Sequence, residues 1–252
     1  MTQGFDYTYD ATGLYLQEGF LDRDECVRLA GELDSLGWKE AAFERTRRID
    51  SLHKRSDIMM TLARRLLAWQ LMERAMTYPA RLIESYALSR MPGGSLPLHG
   101  GSSEHLQRFG EPEATDISCA YLFRMGRMYT MRAKALLYLD DIESMDDGPL
   151  FYIEGSHKEN FSFFRSFREG QAVRGFEHLV RPVMVRQGTC IILNEALVHG
   201  ATTKTSARPR RLVVFTFGPT FVNDWRELAR NEASFDRRGY VVPETEDTEQ
   251  ME

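Results

Sequence analysis

Two histidines and one arginine have surroundings that suggest chemistry. His99 ends an apolar run and is followed by Gly100 and Gly101, whose lack of side chains lets a ligand approach the backbone closely. His199 comes after the β-type run 189–193 and a turn-like segment, and Arg210 opens the next strand-like run. Imidazoles are common metal ligands, and an arginine can hold a carboxylate through two parallel hydrogen bonds. This set predicts a metal site with an anion-binding residue beside it.

Other chemical signals in the sequence are weaker. His53, His105 and His178 are most simply surface residues or hydrogen-bonded core residues. The nucleotide-binding loops, the nucleophile elbow and the zinc-protease helix motif are all absent from the sequence. The cysteines lie at wide spacings and number three, so they predict buried thiols rather than disulfides: Cys26, Cys119 and Cys190.

Composition excludes several classes of protein. The chain has 252 residues, of which 42% are hydrophobic and 27% are charged, as in ordinary globular proteins. Its net charge of −5 is matched by five acidic residues within the last ten, so the rest is formally neutral. A neutral body argues against a nucleic-acid polymer as partner. With no signal-peptide pattern and no apolar run of about 20 residues, we expect a cytoplasmic protein without a membrane partner.

The hydrophobic pattern indicates which elements position the candidate residues. Apolar residues at helical spacing predict a helix from Asp22 or Asp24 to about Leu36, ended by Gly37. A second helix is predicted from Ser56-Asp57 to about Met76, with its methionines and Trp69 in the core. Helices are therefore expected before residue 77.

Short strands are predicted to dominate residues 80–218. The strand-like runs are 81–88, 117–125, 127–140, 150–153, 180–186, 189–193 and 211–218. The second and third flank Gly126 and predict a hairpin, and a short helix is expected near 223–231. Many short antiparallel strands behind helices favour one sandwich or barrel domain. We predict a single domain over residues 1–242 and a disordered acidic tail over 243–252.

Two segments carry a resemblance to a known family. Residues 199–211 run histidine, glycine, small polar residues and then arginine, and residues 148–158 form a turn, a strand and the stretch Glu-Gly-Ser-His-Lys. The first is similar to the distal-histidine motif of the phytanoyl-CoA dioxygenase family of iron(II)/2-oxoglutarate oxygenases. The second resembles that family's Pro-Gly-Ser-His-Lys stretch, with Glu154 where proline is usual. The resemblance spans about residues 15–222.

The resemblance implies a fold and a set of cofactors. The fold class would be mainly β, a double-stranded β-helix (jelly-roll) core flanked by helices. Iron(II) would be held by His99 and His199, and 2-oxoglutarate would chelate the iron and place its distal carboxylate on Arg210, with O2 as co-substrate. His157 would be a loop residue of a structural motif rather than a ligand.

One position departs from the family pattern. The family has Asp or Glu two residues after the first histidine, whereas this chain has Gly101. In iron/2-oxoglutarate halogenases, the same replacement leaves room for chloride on the iron, so the resemblance favours a halogenase acting on an unactivated C–H bond of a small molecule. A hydroxylase with water in that position and a catalytically inactive binding module remain alternatives. Glu104 or Glu195 could instead supply the missing ligand.

Aromatic and basic residues suggest where a substrate would bind. The predicted walls of the jelly-roll mouth are Tyr86, Tyr121, Phe123, Tyr138, Phe217 and Trp225. The predicted hairpin is also basic, with Arg124, Arg127, Arg132 and Lys134. These charges form either a solvated face or a site for an anionic small molecule, free or attached to a carrier protein. The oligomeric state is left open.

Overall fold

A computed structural model describes residues 2–41, 45–100, 120–158 and 177–221 of the chain. The helices are α1 (Thr2–Thr12), α2 (Arg23–Leu36), α3 (Leu52–Arg55), α4 (Asp57–Ala68) and α5 (Leu71–Met76). The strands are β1 (Leu14–Gln17), β2 (Lys39–Glu40), β3 (Thr46–Asp50), β4 (Ala80–Arg90), β5 (Leu96–His99), β6 (Tyr121–Arg124), β7 (Arg127–Thr130), β8 (Ala133–Tyr138), β9 (Leu150–Ile153), β10 (Val180–Val183), β11 (Cys190–Asn194), β12 (His199–Ala201) and β13 (Arg211–Pro219). The helix expected at 223–231 and the tail 243–252 lie outside the described residues.

Two facing antiparallel sheets form the body of the fold. The larger has the order β1-β11-β8-β13-β4-β3-β2, and the smaller has the order β10-β9-β12-β5. Hairpin β6-β7 forms a separate two-stranded sheet. Most neighbouring strands in these two sheets are not consecutive in the sequence, as in a jelly-roll, and the expected fold class is confirmed.

The hydrophobic core has two layers, one on each side of the larger sheet. The outer layer joins that sheet to the helices through buried side chains such as Leu33, Met59 and Leu66. The inner layer lies between the two sheets and contains Tyr138, Val214 and Tyr152 among others. The larger sheet is therefore buried on both faces, and the space between the sheets is its inner side.

The predicted helices are confirmed with one difference. Asp22 caps α2 in a capping box with Glu25, and Gly37 ends it. The second predicted helix is divided into α4 and α5 because Gln70 adopts a left-handed conformation with φ of 64°. Its buried methionines belong to the outer core, as expected. None of the helices in the described ranges is both long and apolar enough to cross a membrane.

The strand predictions are mostly confirmed after residue 80. The hairpin turns at Met125-Gly126, and both residues have positive φ. A two-residue turn with this geometry fits the right-handed twist of the strands on either side. The run 127–140 was wrongly predicted to be one strand, since it divides into β7 and β8. The expectation that the chain is helical before residue 77 is also wrong in part, because β1, β2 and β3 join the edges of the larger sheet.

Candidate functional site

His99 and His199 lie next to each other on the smaller sheet. Strand β12 pairs with β5 so that His199 is directly opposite His99, and Tyr152 of β9 is opposite His199 on the other side. The centroids of the two imidazole rings are 4.2 Å apart. Strand pairing thus brings together two residues that are a hundred positions apart in the sequence.

Hydrogen bonds hold both imidazoles in a form suited to metal binding. The Nδ1 atom of His199 lies 2.6 Å from the carbonyl oxygen of Leu197, and that of His99 lies 3.0 Å from the carbonyl oxygen of Pro97. A ring whose Nδ1–H donates to a carbonyl has Nε2 free of a proton, and metal-binding histidines are commonly oriented in this way. Burial and the neighbouring His99 lower the pKa of His199 to about 3, so this imidazole is neutral near pH 7.

Two glycines allow the histidine strands to approach closely. A Cβ atom on Gly200 would lie 2.6 Å from the carbonyl oxygen of Leu96 on the neighbouring strand. A Cβ atom on Gly100 would lie 2.5 Å from the carbonyl oxygen of Leu197, and Gly100 also has a φ of +90°. Both positions therefore require glycine, and both directly adjoin a histidine.

Arg210 lies in the interior between the sheets with unused donors. It is 2% exposed, and its Nε and Nη1 atoms have no hydrogen-bond partner within the described part of the chain. Its guanidinium carbon lies 5.9 Å from the centroid of the Tyr138 ring, and the Tyr138 hydroxyl is likewise buried without a described partner. Burial lowers the pKa of Arg210 and raises that of Tyr138. These unpaired donors fit a ligand that carries a carboxylate.

The two neighbouring arginines have different roles. Arg211 points to the other side of the strand, where its Nη2 lies 2.7 Å from Oδ1 of Asp140. Arg208 is exposed and pairs with Glu143. Of these three, only Arg210 has a described environment that suits an incoming anion.

The described residues do not provide a third protein ligand. They contain no group of three His, Cys, Asp or Glu side chains that could hold a metal ion. Glu195 is buried near His199, but its carboxylate forms an ion pair with Lys134 at 2.8 Å. Burial opposes the charge of Glu195, but Lys134 and Arg132 outweigh it and lower the pKa of the carboxyl to about 2. This ion pair argues against Glu195 as the missing ligand, and Gly101 and Glu104 lie outside the described residues.

The predicted substrate walls are spread over different parts of the molecule. Tyr138 and Tyr86 face the interior, as expected. Phe217 was wrongly predicted as a wall, because it is fully buried in the outer core against the helices. Phe123 and Arg124 are exposed on the separate hairpin, so they are not inward-facing as predicted. Any contact of theirs with a substrate remains a prediction.

Three further predicted residues have other surroundings. The Tyr121 hydroxyl donates to Asp10 of α1, and its ring packs edge-on against His157. His157 is buried, and its Nε2 lies 3.0 Å from the carbonyl oxygen of Asp10, in keeping with a structural role. Lys134, which was grouped with the basic hairpin, instead faces the interior in its ion pair with Glu195. Trp225 lies outside the described residues.

One interior residue was missed by sequence reasoning. Arg90 is 3% exposed, and its Nε and Nη1 atoms also lack a hydrogen-bond partner among the described residues. It continues the alternation of Tyr86 and Leu88 along β4, so its inward direction could have been read from the period of two.

Comparison with known proteins identifies the family. The family model described as Phytanoyl-CoA dioxygenase matches residues 116–212. The structure of HygX from Streptomyces hygroscopicus with nickel and 2-oxoglutarate bound has 34% identity to this chain, with 90% of each chain covered and a TM-score of 0.79. The chain belongs to the phytanoyl-CoA dioxygenase family. This is the family of iron(II)/2-oxoglutarate oxygenases expected from the two sequence motifs.

Two further solved structures are similar to this chain. A second structure of HygX, with iron bound, has 33% identity over 90% of each chain and a TM-score of 0.75. The epimerase SnoN from nogalamycin biosynthesis has 18% identity and a TM-score of 0.64, with 87% of this chain and 84% of that chain covered. The similarity to SnoN supports the fold alone. No curated protein sequence matched the chain.

Proposed function

We propose that this protein is an iron(II)- and 2-oxoglutarate-dependent enzyme that functionalises a C–H bond of a small molecule. Two observations carry the proposal: His99 and His199 lie opposite each other on the smaller sheet, and Arg210 is buried with guanidinium donors that have no partner among the described residues. Two imidazoles suit iron(II), and a buried arginine without a described partner suits the distal carboxylate of 2-oxoglutarate. When bound, iron and 2-oxoglutarate together supply the oxidising power to remove a hydrogen atom from carbon with O2.

The side chains of this chain have separate tasks in that proposal. His99 and His199 would hold the metal through Nε2, while their Nδ1–H groups donate to the carbonyl oxygens of Pro97 and Leu197. Arg210 orients 2-oxoglutarate. The apolar inner core, which includes Leu136 and Val214, keeps bulk water away from the buried charges.

Anaerobic spectroscopy tests this function. Iron(II) and 2-oxoglutarate are added together to the protein, and we expect the visible metal-to-ligand charge-transfer band of chelated 2-oxoglutarate. His99→Ala and His199→Ala should both abolish the band. His178→Ala is the matched control, because this histidine is exposed on the surface. If the unchanged protein gives no band and calorimetry detects no 2-oxoglutarate binding, the protein is a binding module rather than this enzyme.

Halogenation is the outcome favoured by Gly101. A glycine at the position of the family's carboxylate leaves a site on the metal that chloride can occupy, which would allow transfer of a halogen to the substrate carbon. The charge-transfer band and the affinity for 2-oxoglutarate should then respond to chloride or bromide in a saturable way. Gly101→Asp should remove that response. Indifference to halide would favour hydroxylation, in which water takes the same position.

The relative HygX suggests a first substrate to try. A HygX structure contains hygromycin B together with nickel and 2-oxoglutarate, at 34% identity to this chain. We propose that the substrate is a small molecule related to hygromycin B. Consumption of 2-oxoglutarate should rise above its substrate-free rate when hygromycin B or a related compound is added. An unchanged rate across such compounds, with the charge-transfer band present, would reject this substrate class alone.

A further inference from the structure

Two buried arginines lie side by side at one end of the interior. Arg90 ends β4 and Arg210 directly precedes β13, the strand with which β4 pairs, and the amide of Arg90 donates to the carbonyl oxygen of Arg210 at 3.1 Å. Each guanidinium has two nitrogen atoms, Nε and Nη1, that are buried without a hydrogen-bond partner in the described ranges. The Tyr138 hydroxyl, which is also unpaired and buried, adjoins both arginines.

This arrangement is unfavourable unless an anion completes it. Like charges on adjacent strands repel each other, and burial removes the water that would otherwise stabilise them. Burial and the charge of Arg210 lower the pKa of Arg90 to about 9. No carboxylate of the described residues forms an ion pair with either arginine, in contrast to Arg211 and Lys134, which both have acidic partners.

We propose that Arg90 is a second binding residue for 2-oxoglutarate, so that Arg90 and Arg210 hold its distal carboxylate together, with the Tyr138 hydroxyl as a third donor. A carboxylate has two oxygen atoms and room for about four hydrogen bonds, and the two guanidinium groups with the Tyr138 hydroxyl offer enough unpaired donors to make them. The inference rests on the proposed function, because it identifies the anion as 2-oxoglutarate. It assigns a role to a residue that lies outside the recognised motifs.

The test combines binding with stability. Arg90→Met keeps a side chain of similar length but removes the charge and the donors, and Arg90→Lys keeps the charge without the planar fork. Arg81→Met, on the same strand β4, is the matched control for loss of a positive charge. For each full-length protein, 2-oxoglutarate affinity is measured anaerobically with iron(II), and the thermal midpoint is measured without ligand and with 2-oxoglutarate.

A binding role predicts opposite effects on affinity and on the ligand-free protein. Arg90→Met should weaken 2-oxoglutarate binding by about 10- to 150-fold, the range expected for a charged hydrogen bond. Its thermal midpoint without ligand should be equal to or higher than that of the unchanged protein, because one of two repelling buried charges is gone. The 2-oxoglutarate affinity of Arg90→Lys should lie between those of the unchanged protein and Arg90→Met. Arg81→Met should bind 2-oxoglutarate normally.

A combined variant shows whether the arginines share one carboxylate. If they do, the loss in Arg90→Met with Arg210→Met should be smaller than the product of the separate losses. Normal 2-oxoglutarate affinity in Arg90→Met would overturn the proposal, whether or not the ligand-free midpoint falls. The proposed function would remain intact. If the unchanged protein does not bind 2-oxoglutarate at all, both are rejected.

Discussion

Arg210, rather than its neighbours, is expected to determine the affinity for 2-oxoglutarate. Its guanidinium is buried and unpaired within the described residues, whereas Arg211 is already held by Asp140 on the other side of the strand. Arg210→Ala should therefore weaken 2-oxoglutarate binding by about 1.5–3 kcal/mol. Anaerobic titration of the charge-transfer band measures this loss.

The neighbouring arginines provide the controls for that prediction. Arg208→Ala removes an exposed ion pair with Glu143 and should leave both affinity and stability nearly unchanged. Arg211→Ala should lower stability through loss of Asp140 as partner but keep the affinity for 2-oxoglutarate. If Arg211→Ala or Arg208→Ala weakens binding and Arg210→Ala does not, the assigned register of the motif is wrong.

His53 should make the folded protein sensitive to acid. Its Nδ1 lies 2.6 Å from the Ser85 hydroxyl, and burial lowers the pKa of His53 from 6.5 to about 4. Between those pH values the unfolded chain binds a proton that the folded protein does not. The free energy of unfolding therefore falls as the pH drops from about 6.5 to about 4, and this group causes no further loss below pH 4. The largest change in unfolding free energy expected from His53 over this range is about 3 kcal/mol.

Chemical denaturation at a series of pH values measures this dependence. His53→Gln should reduce the slope of the profile between pH 6.5 and 4, while His178→Gln, at an exposed position, should leave the slope unchanged. His157 contributes in the same direction, because burial lowers its pKa to about 4 as well. A profile in His53→Gln identical to that of the unchanged protein would contradict the assignment.

The pairing of β5 with β12 is the element on which the metal site depends. Gly200→Ala would place a Cβ atom 2.6 Å from the carbonyl oxygen of Leu96 and 3.1 Å from the amide nitrogen of Leu98. Because both are backbone atoms, the strands must separate, and His99 moves away from His199. We expect the charge-transfer band to be lost or strongly weakened in a protein that remains folded.

Gly31 offers a control for this substitution. It lies within α2 with open space around its Cβ position, so Gly31→Ala should stabilise the helix by about 0.5–1 kcal/mol and preserve the band. Circular dichroism and thermal unfolding would show whether Gly200→Ala retains its fold. An intact fold with a normal band would mean that the strands tolerate the extra methyl group.

At the scale of the whole molecule, the outer core and the site lie on opposite sides of the larger sheet. Leu66 of α4 is fully buried among the helices and belongs to the outer layer. Leu66→Ala should lower the unfolding free energy by about 2–5 kcal/mol through a cavity that the helices cannot close. The remaining folded protein should bind iron(II) and 2-oxoglutarate with normal affinity. A parallel loss of affinity and stability would show that the two layers are coupled through the sheet.

Several features could be predicted from the sequence because their signals are local. The cap at Asp22 and the stop at Gly37 mark a helix within one short window, and the spacing of His199 and Arg210 belongs to a single motif. His99 was recognised by its two glycines, and Gly101 marks the departure from the family pattern. The division into early helices and later strands likewise follows from the hydrophobic period.

Only the tertiary structure decided which side chains share the interior with those residues. The central strand β13 is buried on both faces, so hydrophobic alternation could not show that its Phe217 faces the helices while Arg210, directly before the strand, lies against Tyr138 of the inner core. The ion pair of Lys134 with Glu195 and the apposition of Arg90 with Arg210 depend on strand pairing over long sequence separations. Residue types and short spacings thus identified the family and the two histidines. The surroundings of the histidines depend on strand register across the sheets, because the packing of the whole chain selects which strands pair.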